Sequence, residues 1–475
     1  MTGPTGSPTT FGGIGKLEFA PTNNPDDPNP TYVDITPYLR TEGTPLEITR
    51  GRQTELDTIQ PSQLTAVLDN TDNRFTFGLT TGPYGANWQP AKKIRYSETI
   101  AGKTVVLFTG YIEYPDISDW KPIGYQEVQL TCTDRLTRLS RGRPFRSTLA
   151  EHILFNSTPG CVWYTPFDDA PNVSELVSGK TLTPVFSTGM TAGSSIQIRT
   201  GGIAHEDDIA NSLTIASLAG PGPGVGYSRA QSVAVRPPIA VGQFVTVVFW
   251  IIPQRNTDFA ADDPNVGNLI ISETGPTGVG ILNFKGNFTN QAWYVSYTGG
   301  SLTGTLQTTR SMQYGEPLLV GARYGYNPAT LELWVGADRF IGALAGVAQT
   351  GAALATITLP DSTGGFRGSL SHGQVYIGTD ADWSHDDFLA QYQMGLNAAE
   401  YQTTGQRIHM LLDYAGVPGD QRVIDPGVSF MQAAQLAGQD PASALANAVA
   451  TERGRGFIDG QGRYVFHDRT RIYNV

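Results

Sequence analysis

The sequence predicts a mainly β fold that is divided into several units. Glycine and proline are abundant, at 55 and 31 residues, and only 16% of the residues are charged. Short runs rich in Thr, Val, Ile, Tyr and Phe recur between turn residues, as is typical of strands in sheets. A chain of 475 residues exceeds the size of one hydrophobic core, so we expect about two to four domains with a helical minority.

The first predicted domain, residues 1–155, has strand candidates at regular spacing after a start rich in Pro and Gly. They lie at 14–20, 45–50, 62–69, 93–99, 104–114 and 125–133. In the third of these, Leu64, Ala66 and Leu68 alternate with polar residues, which is the period of a half-buried strand. After Asp134 the apolar spacing changes to that of short helical pieces, so the predicted barrel or sandwich ends near 155.

The second predicted domain, residues 156–397, returns to β character, with Gly-rich loops between its strands. The strand candidates lie at 244–252, 291–297, 318–324, 331–335 and 374–377. Ser384, followed by Asp386 and Asp387 ahead of apolar residues, is what a capped helix start requires. A short helix is therefore expected near the end of this domain.

The last predicted domain, residues 398–475, is a short α+β segment. Apolar residues share one face of its first helix: Ile408, Leu411, Leu412 and Ala415. A second helix is expected to begin with Asp440 as N-cap and Pro441 at its first position. Residues 456–467 predict a β-hairpin that turns near Gly460.

The formal charge of −11 makes sequence-independent nucleic-acid binding unexpected, because such binding depends on clusters of Lys and Arg. One basic stretch runs through Arg135, Arg138, Arg141, Arg143 and Arg146. Because leucines lie between them, these arginines are interpreted as a solvated or interface face. No apolar run approaches the length of a membrane span, and the N-terminus has no signal-peptide pattern, so synthesis in the cytosol is expected.

Sequence motifs for catalysis or metal binding are missing. The chain has no HExxH, GxSxG, Walker or CxxC pattern, and its two cysteines, Cys132 and Cys161, exclude a four-cysteine zinc site within one chain. The polar cluster at 205–208 and the carboxylate pairs at 168–169 and 262–263 are sequence neighbours, whose side chains seldom converge on a ligand. No catalytic residue, metal or cofactor is predicted, and no enzyme is expected.

Five blocks of the first domain resemble the opening domain of minor tail proteins from phages of actinobacteria. The blocks are DITPYL (34–39), ITRGRQTELDTIQPSQLTAVLDNTDNRF (48–75), GPYGANWQPAKKIR (82–95), LFTGYIEYPDISDW (107–120) and VQLTCTDRLTRLSR (128–141). Generic strand composition does not explain these blocks. In that family the domain is a β-structure that builds rings at the tail tip, as in baseplate hub and distal tail proteins.

The second domain resembles a concanavalin-like or laminin-G-like jelly roll. The similar segments are WYTPFDDAPNVSELVSGKTL (163–182), FVTVVFWIIP (244–253), LLVGARYGYNPATLELWVGADRF (318–340) and QVYIGTDADWSHDDFLAQYQMGLN (374–397). The resemblance implies a β-sandwich in which the strand that carries Trp250 packs between two sheets. It also implies that the hairpin at 331–340 lies at an edge and that the helix after Ser384 closes the domain.

The last domain resembles the helical part of hub proteins, with a helix ending in AGVP, a second ending in TERGRGF, and then IDGQGRYVFHDR. The resemblance implies that the second domain, which is lectin-like, is inserted into a split hub fold. The C-terminal α+β segment completes that hub fold. Hub proteins continue beyond the position of Val475, so a second hub barrel is expected to be absent or supplied by a partner.

One group of residues in the second domain has the chemistry of a sugar site. Aromatic faces stack on sugar C–H groups and amides bind hydroxyls. The candidates are Trp293, Tyr294, Tyr297, Asn287 and Asn290. Strand alternation puts Trp293 and Tyr294 on opposite faces, so at most one of them faces outward. The alternative is a structural aromatic ladder in a β-sandwich.

The function implied by these resemblances is a structural virion protein of the phage tail tip, assembled in the host cytoplasm. A homo-oligomeric baseplate hub ring is expected, with a trimer favoured, and its lectin-like domain is expected to contact host cell-wall glycan. The alternatives are a hexameric distal tail protein with a carbohydrate-binding insertion, and a cell-wall-degrading tail enzyme. Expected partners are the distal tail protein, the tape measure protein and further minor tail proteins.

Overall fold

The fold, as seen in a computed structural model, is mainly β, which confirms the predicted class. The structure describes residues 14–22, 24, 27, 29–40, 46–51, 60–113, 127–156, 160–166, 173–174, 176, 181–186, 195–199, 212–216, 228–233, 240, 242–253, 265–275, 278–287, 292–299, 302–309, 315–326, 328–346, 353–359 and 367–473. The helices in these ranges are α1 (Arg135–Ser140), α2 (Thr148–Asn156), α3 (His385–Asn397), α4 (Thr404–Tyr414), α5 (Pro441–Glu452) and α6 (Arg469–Tyr473).

The chain divides into two compact units. Unit 1 comprises Met1–Pro144, Tyr401–Gln432 and Gln439–Val475, and unit 2 comprises Phe145–Glu400 and Ala433–Gly438. A compact unit is not thereby a domain that folds independently. The domain ranges 1–155, 156–397 and 398–475 therefore stay predictions.

Unit 1 is built on an eight-stranded antiparallel sheet. Its strands are β1 (Ile14–Phe19), β2 (Val33–Asp34), β3 (Leu39–Arg40), β4 (Glu47–Gly51), β5 (Gln60–Asp69), β6 (Lys93–Ile100), β7 (Lys103–Ile112) and β8 (Glu127–Thr133). They follow the order β2-β1-β6-β7-β8-β5-β3, and β4 also pairs with β5. The alternation predicted for β5 is confirmed, because Leu64, Ala66 and Leu68 are buried between more exposed neighbours.

Aromatic packing fills the core against this sheet. Trp88 is fully buried beside Phe19 and Phe75, with ring centroids 4.9 and 4.7 Å away in edge-to-face geometry. Such aromatic pairs add to the stabilisation that comes from burying apolar area. Aliphatic side chains of four strands complete the cluster: Leu17, Leu64, Leu68, Ile94 and Leu130.

Unit 2 contains two eight-stranded sheets. The front sheet follows the order β10 (Val173–Ser174), β11 (Thr181–Phe186), β14 (Ser228–Val233), β23 (Ala353–Leu359), β16 (Asn265–Gly275), β17 (Gly278–Asn287), β18 (Ala292–Gly299) and β19 (Leu302–Gln307). The back sheet follows the order β12 (Ser195–Arg199), β13 (Ser212–Ala216), β24 (Arg367–Gly378), β15 (Phe244–Pro253), β20 (Leu318–Tyr326), β21 (Ala329–Val335) and β22 (Asp338–Ala343), and β9 (Cys161–Thr165) pairs with β24.

One apolar core joins the two sheets into a sandwich. Alternate residues of β15, including Val245, Val247 and Phe249, belong to the same cluster as Trp293 and Tyr297 of the front sheet. This is the period expected when one face of each strand is buried. The strand that carries Trp250, β15, is a member of the back sheet and packs on the front sheet by one face only, so the expectation that it lies between two sheets is wrong. The predicted hairpin lies at an edge, since β22 ends its sheet.

A helical layer covers the other face of the back sheet. Trp250 is fully buried there, stacked on Tyr392 of α3 with ring centroids 5.9 Å apart. Ser384 is the N-cap of α3; its side chain accepts from the Asp387 amide, while the Asp387 side chain accepts from the Ser384 amide. The predicted capped helix is therefore confirmed, because this capping box satisfies two amides that a helix start leaves without partners.

The C-terminal part of the chain adds helices and a small sheet to unit 1. Helix α5 begins as predicted, with Asp440 as N-cap accepting from the Ser443 amide. The predicted hairpin is confirmed by β26 (Arg455–Ile458) and β27 (Tyr464–His467), and β25 (Arg422–Ile424) pairs with β27 in parallel. Helices α1 and α5 pack against each other, so the end of the chain completes the unit that its beginning forms.

Glu452 holds this C-terminal part together. Its carboxylate is fully buried and accepts hydrogen bonds from Thr404 Oγ1 at 2.6 Å and from the Ser429 amide at 2.8 Å. Burial alone would raise the pKa of Glu452, but these hydrogen bonds lower it below its ordinary value. The end of α5, the start of α4 and the loop between α4 and α5 are thus joined at one ionised side chain.

No helix among the described residues is both long enough and apolar enough to cross a membrane.

Candidate functional site

The structure separates the predicted sugar-binding residues. Trp293 is 1% exposed and Tyr297 is 0% exposed, and both belong to the core between the two sheets. These two predictions are wrong, because a sugar ring cannot stack on an aromatic face that is enclosed in packed side chains. The alternative interpretation, a structural aromatic ladder, describes both residues.

Tyr294, a third candidate of the set, lies on the outer face of the sheet. It is half-buried between the two core residues Trp293 and Val295, as strand alternation requires. Asn287 ends β17, where it pairs with Ala292 at the start of β18. Asn290 lies outside the described residues.

The outer face around Tyr294 is rich in hydroxyl and amide groups. Three cross-strand pairs of β18 and β19 line it: Tyr294 with Gln307, Ser296 with Thr305, and Thr298 with Thr303. The three residues on β19 are exposed, and none of the six side chains is of a charged type. On the β19 side, the half-buried phenol ring has neutral hydrogen-bonding side chains beside it, a composition that suits sugar recognition. This strip, called the β18–β19 face below, is the candidate glycan surface.

The other polar residues singled out in the sequence do not form a second site in the described part of the chain. Residues 168–169, 205–208 and 262–263 lie outside the described residues. Ser384 and Asp387 serve as the capping box of α3. No group of three or more His, Cys, Asp or Glu side chains in the described ranges is arranged to hold a metal ion.

A buried polar network in unit 2 also has a structural explanation. Tyr164 and His372 are fully buried and joined by a hydrogen bond of 3.0 Å between the phenol oxygen and Nδ1. Next to them, Tyr376 donates to Gln374 Oε1 at 2.6 Å, and Gln374 donates to the His372 carbonyl. These groups bond one another where β9 meets β24, which is how polar side chains are accommodated in a core.

The arginines of the basic stretch after β8 differ from one another in exposure and in partners. Arg141 is exposed and paired with Glu113 at 2.7 Å, as expected for a solvated face. Arg138 covers the ring of Tyr111, with 4.5 Å from Cζ to the centroid. Arg135 is only 9% exposed, so the solvated interpretation is wrong for this residue.

Three large apolar side chains of unit 1 are exposed close to its C-terminal helices. Tyr401 and Phe430 are each 71% exposed, and Val428 is 46% exposed. A bridge between Thr403 and Phe430 and a hydrogen bond from the Tyr401 amide to the Met431 carbonyl hold the two segments side by side. Large apolar side chains exposed together are typical of surfaces that other proteins cover. Tyr401, Val428 and Phe430 are called the apolar patch below.

No protein-family model matches the chain, and no curated protein is significantly similar to it in sequence.

Among solved structures, the chain has low similarity to binding domains of larger proteins. The binding domain of Paraclostridial Mosquitocidal Protein 1 is 10% identical with a TM-score of 0.37, over 52% of this chain and 55% of that one. The ligand binding domain of botulinum neurotoxin serotype D, in complex with N-acetylneuraminic acid, is 11% identical with a TM-score of 0.33, over 53% and 55%. The chain thus spans about half the length of these two.

A third similar structure is domain 4 of a GH43 extracellular arabinanase from Geobacillus stearothermophilus, in complex with arabinotriose. It is 13% identical with a TM-score of 0.31, over 47% of this chain and 97% of that one. At these identities and TM-scores, the function of this chain does not follow from the three similarities. Its sandwich is defined by the pairing and packing of its own strands.

Proposed function

We propose that the chain is a non-catalytic structural subunit of a phage tail tip, a baseplate hub type of minor tail protein located in the virion. Unit 1 would form a homo-oligomeric ring, and unit 2 would contact host cell-wall glycan. The observation that carries the proposal is the course of the chain, which leaves unit 1 after Pro144 and returns to it at Tyr401. A split hub with an inserted sandwich, as the sequence blocks imply, requires this connectivity.

Specific contacts support the completion of unit 1 by the C-terminal segment. Thr109 of β7 donates to the carbonyl of Gly460 in the terminal hairpin at 2.9 Å. Arg135 of α1 donates to Gln421 Oε1. Residues far apart in the sequence therefore share one compact unit, and the segment 145–400 of unit 2 lies between them in the sequence.

The apolar patch supports assembly of unit 1 with further copies of itself. Obligate ring interfaces are relatively apolar at their centre. The exposed rings of Tyr401 and Phe430 match that chemistry. We favour a trimeric hub that binds the distal tail, tape measure and further minor tail proteins, with the hexameric distal tail ring as the alternative.

Electron microscopy of the negatively stained full-length protein tests the ring. Closed particles with threefold symmetry are expected, and sixfold particles would favour the distal tail alternative. In a second experiment, an antibody against the protein is expected to label the tip of phage tails. Isolated particles without closed symmetry, together with unlabelled tail tips, would contradict the proposal.

The β18–β19 face supports glycan contact by unit 2. In a co-sedimentation assay with purified actinobacterial cell walls, the full-length protein is expected to bind, and Tyr294→Ala is expected to weaken binding by about tenfold through the lost stacking surface. Ile341→Ala is the matched control, because Ile341 is 57% exposed on the edge strand β22 of the other sheet. Equal binding of both variants would exclude the β18–β19 face as the glycan site.

The wall-degrading alternative is tested on the same cell walls. We expect no hydrolysis in a peptidoglycan zymogram, with lysozyme as the positive control. A cleared zone that persists after repurification would contradict the non-catalytic assignment.

A further inference from the structure

We propose that a cavity in unit 1 binds a phosphate-class oxyanion, held by Arg135 and Gln421. The cavity has a volume of about 430 Å³, within the usual range of small-ligand sites. Its wall is formed by β6 and β7, by the segment around Tyr32, by the start of α1, and by the C-terminal segments at 420–421 and 461–463. Asn29, Asp420 and Gln461 on its rim are exposed, so the cavity is open to solvent.

The lining of the cavity is strongly basic in a chain of net negative charge. Four cationic side chains line it, with Asp420 as the acidic one: Lys93, Arg95, Arg135 and Arg463. The whole chain carries a formal charge of −11. A concave basic surface concentrates the electrostatic field and attracts anions.

Three of these cations are already engaged by protein oxygens. Arg95 pairs with Glu18 at 2.7 Å, and Arg463 pairs with Asp459 at 2.8 Å. The Lys93 ammonium donates to the Asp27 carbonyl. They contribute positive potential to the cavity, but their hydrogen bonds are directed largely to the protein.

Arg135 differs because part of its guanidinium has no acceptor among the described residues. Its Nη2 donates to Gln421 Oε1. Within the described part of the chain, Arg135 Nη1 and Gln421 Nε2 are buried and have no hydrogen-bond partner. The carboxylate next in sequence, Asp134, is used by the backbone amides of Ser62 and Leu136. Both side chains line the basic cavity, and each carries one buried donor that is left without a described partner.

An oxyanion would supply acceptors for these two donors. A guanidinium is always charged, and burying it without an acceptor is unfavourable. A tetrahedral oxyanion presents several acceptor oxygens, so it can accept from Arg135 Nη1 and Gln421 Nε2 at once. Tyr32 is a further donor, because burial raises the pKa of its phenol to about 12 and the hydroxyl keeps its proton.

Calorimetric titration of the full-length protein tests the site, with inorganic phosphate as the probe and ionic strength held constant with NaCl. The wild type is expected to bind saturably, and Arg135→Gln to bind at least about tenfold more weakly. Arg141→Gln is the control from the end of the same helix, since Arg141 lies outside the cavity and pairs with Glu113. Glycerol phosphate in a parallel titration separates a site for free phosphate from one that takes phosphate esters.

Gln421→Glu is a second variant that tests the same site if Arg135→Gln fails to fold. Its carboxylate would pair with Arg135 inside the protein, so we expect a melting temperature at or above that of the wild type and loss of phosphate binding. Absence of binding by the wild type to either probe at about 10 mM would overturn the proposal. Full phosphate binding by Gln421→Glu would overturn it as well.

Discussion

Tyr297 of the front sheet stacks on Tyr324 of the back sheet, with ring centroids 4.5 Å apart and planes inclined at 23°. Both rings are almost fully buried, so the contact joins the two layers of the sandwich at its centre. A residue with the chemistry of a sugar site thus belongs to the core of unit 2, and its neighbour Tyr294 takes the outer face.

Replacing Tyr297 should weaken the sandwich much more than replacing Tyr294. Tyr297→Ala leaves a cavity in the core and is expected to cost roughly 3–5 kcal/mol of stability. Tyr294→Ala removes a half-buried ring at the surface, and a cost below about 1 kcal/mol is expected. Urea unfolding followed by near-ultraviolet circular dichroism measures both. Equal costs would contradict the assignment of Tyr297 to the core.

Glu452→Gln should destabilise unit 1 in a pH-dependent way. The folded pKa of Glu452 lies below its ordinary value of 4.5, so its carboxylate contributes stability above that pH. This contribution is lost as the pH falls through the lowered folded pKa. We expect the variant to be about 1–3 kcal/mol less stable at neutral pH, because charged hydrogen bonds are weakened, and the difference to shrink in acid.

Urea titrations of wild type and Glu452→Gln at a series of pH values measure this effect. Glu47→Gln is the control, since Glu47 is an exposed carboxylate of the same unit. A stability difference for Glu452→Gln that stays constant down to strongly acidic pH would show that the carboxylate charge is not responsible.

Gly460→Ala should disrupt the seating of the terminal hairpin on β7. A Cβ at Gly460 would lie well under 3.0 Å from the Val106 carbonyl oxygen, which is backbone and cannot move aside easily. The expected cost is roughly 1–3 kcal/mol. Gly419→Ala is the matched control in the same unit, because a Cβ there meets no atom of the described residues within 4 Å. If the thermal midpoints of both variants equal that of the wild type, the hairpin does not pack on β7.

Phe430→Asp should reduce self-association, because it places a charge in the apolar patch. Sedimentation velocity should show a shift to smaller species, while circular dichroism of the variant matches the wild type. Ile341→Asp, at an exposed apolar position of unit 2, should leave the association unchanged. An unaltered distribution for Phe430→Asp would place the interface elsewhere.

Much of the fold was predictable because it depends on local patterns. The caps at Ser384 and Asp440 combine a side-chain acceptor with a helix start, which a sequence displays directly. The alternation in β5 likewise follows from one buried face. The parallel pairing of β25 with β27 was not predictable, because the strand Arg422–Ile424 has three residues and its partner lies about forty positions later.

The candidate sites were less predictable because they depend on which face is covered. Alternation places Trp293 and Tyr294 on opposite sides, but the packing of the second sheet decides which side is buried. Arg135 shows the same limit, since it is buried and its guanidinium donates to Gln421, far along the chain. A row of arginines in the sequence does not indicate that one of them bonds a residue so far along the chain.

The central claim, assembly of this chain into a ring, is tested most directly by the mass of the purified full-length protein in solution. Light scattering over a range of concentrations is predicted to give a stable trimer. A hexamer would replace the hub with the distal tail ring. A monomer at every concentration would contradict the claim that unit 1 assembles with copies of itself.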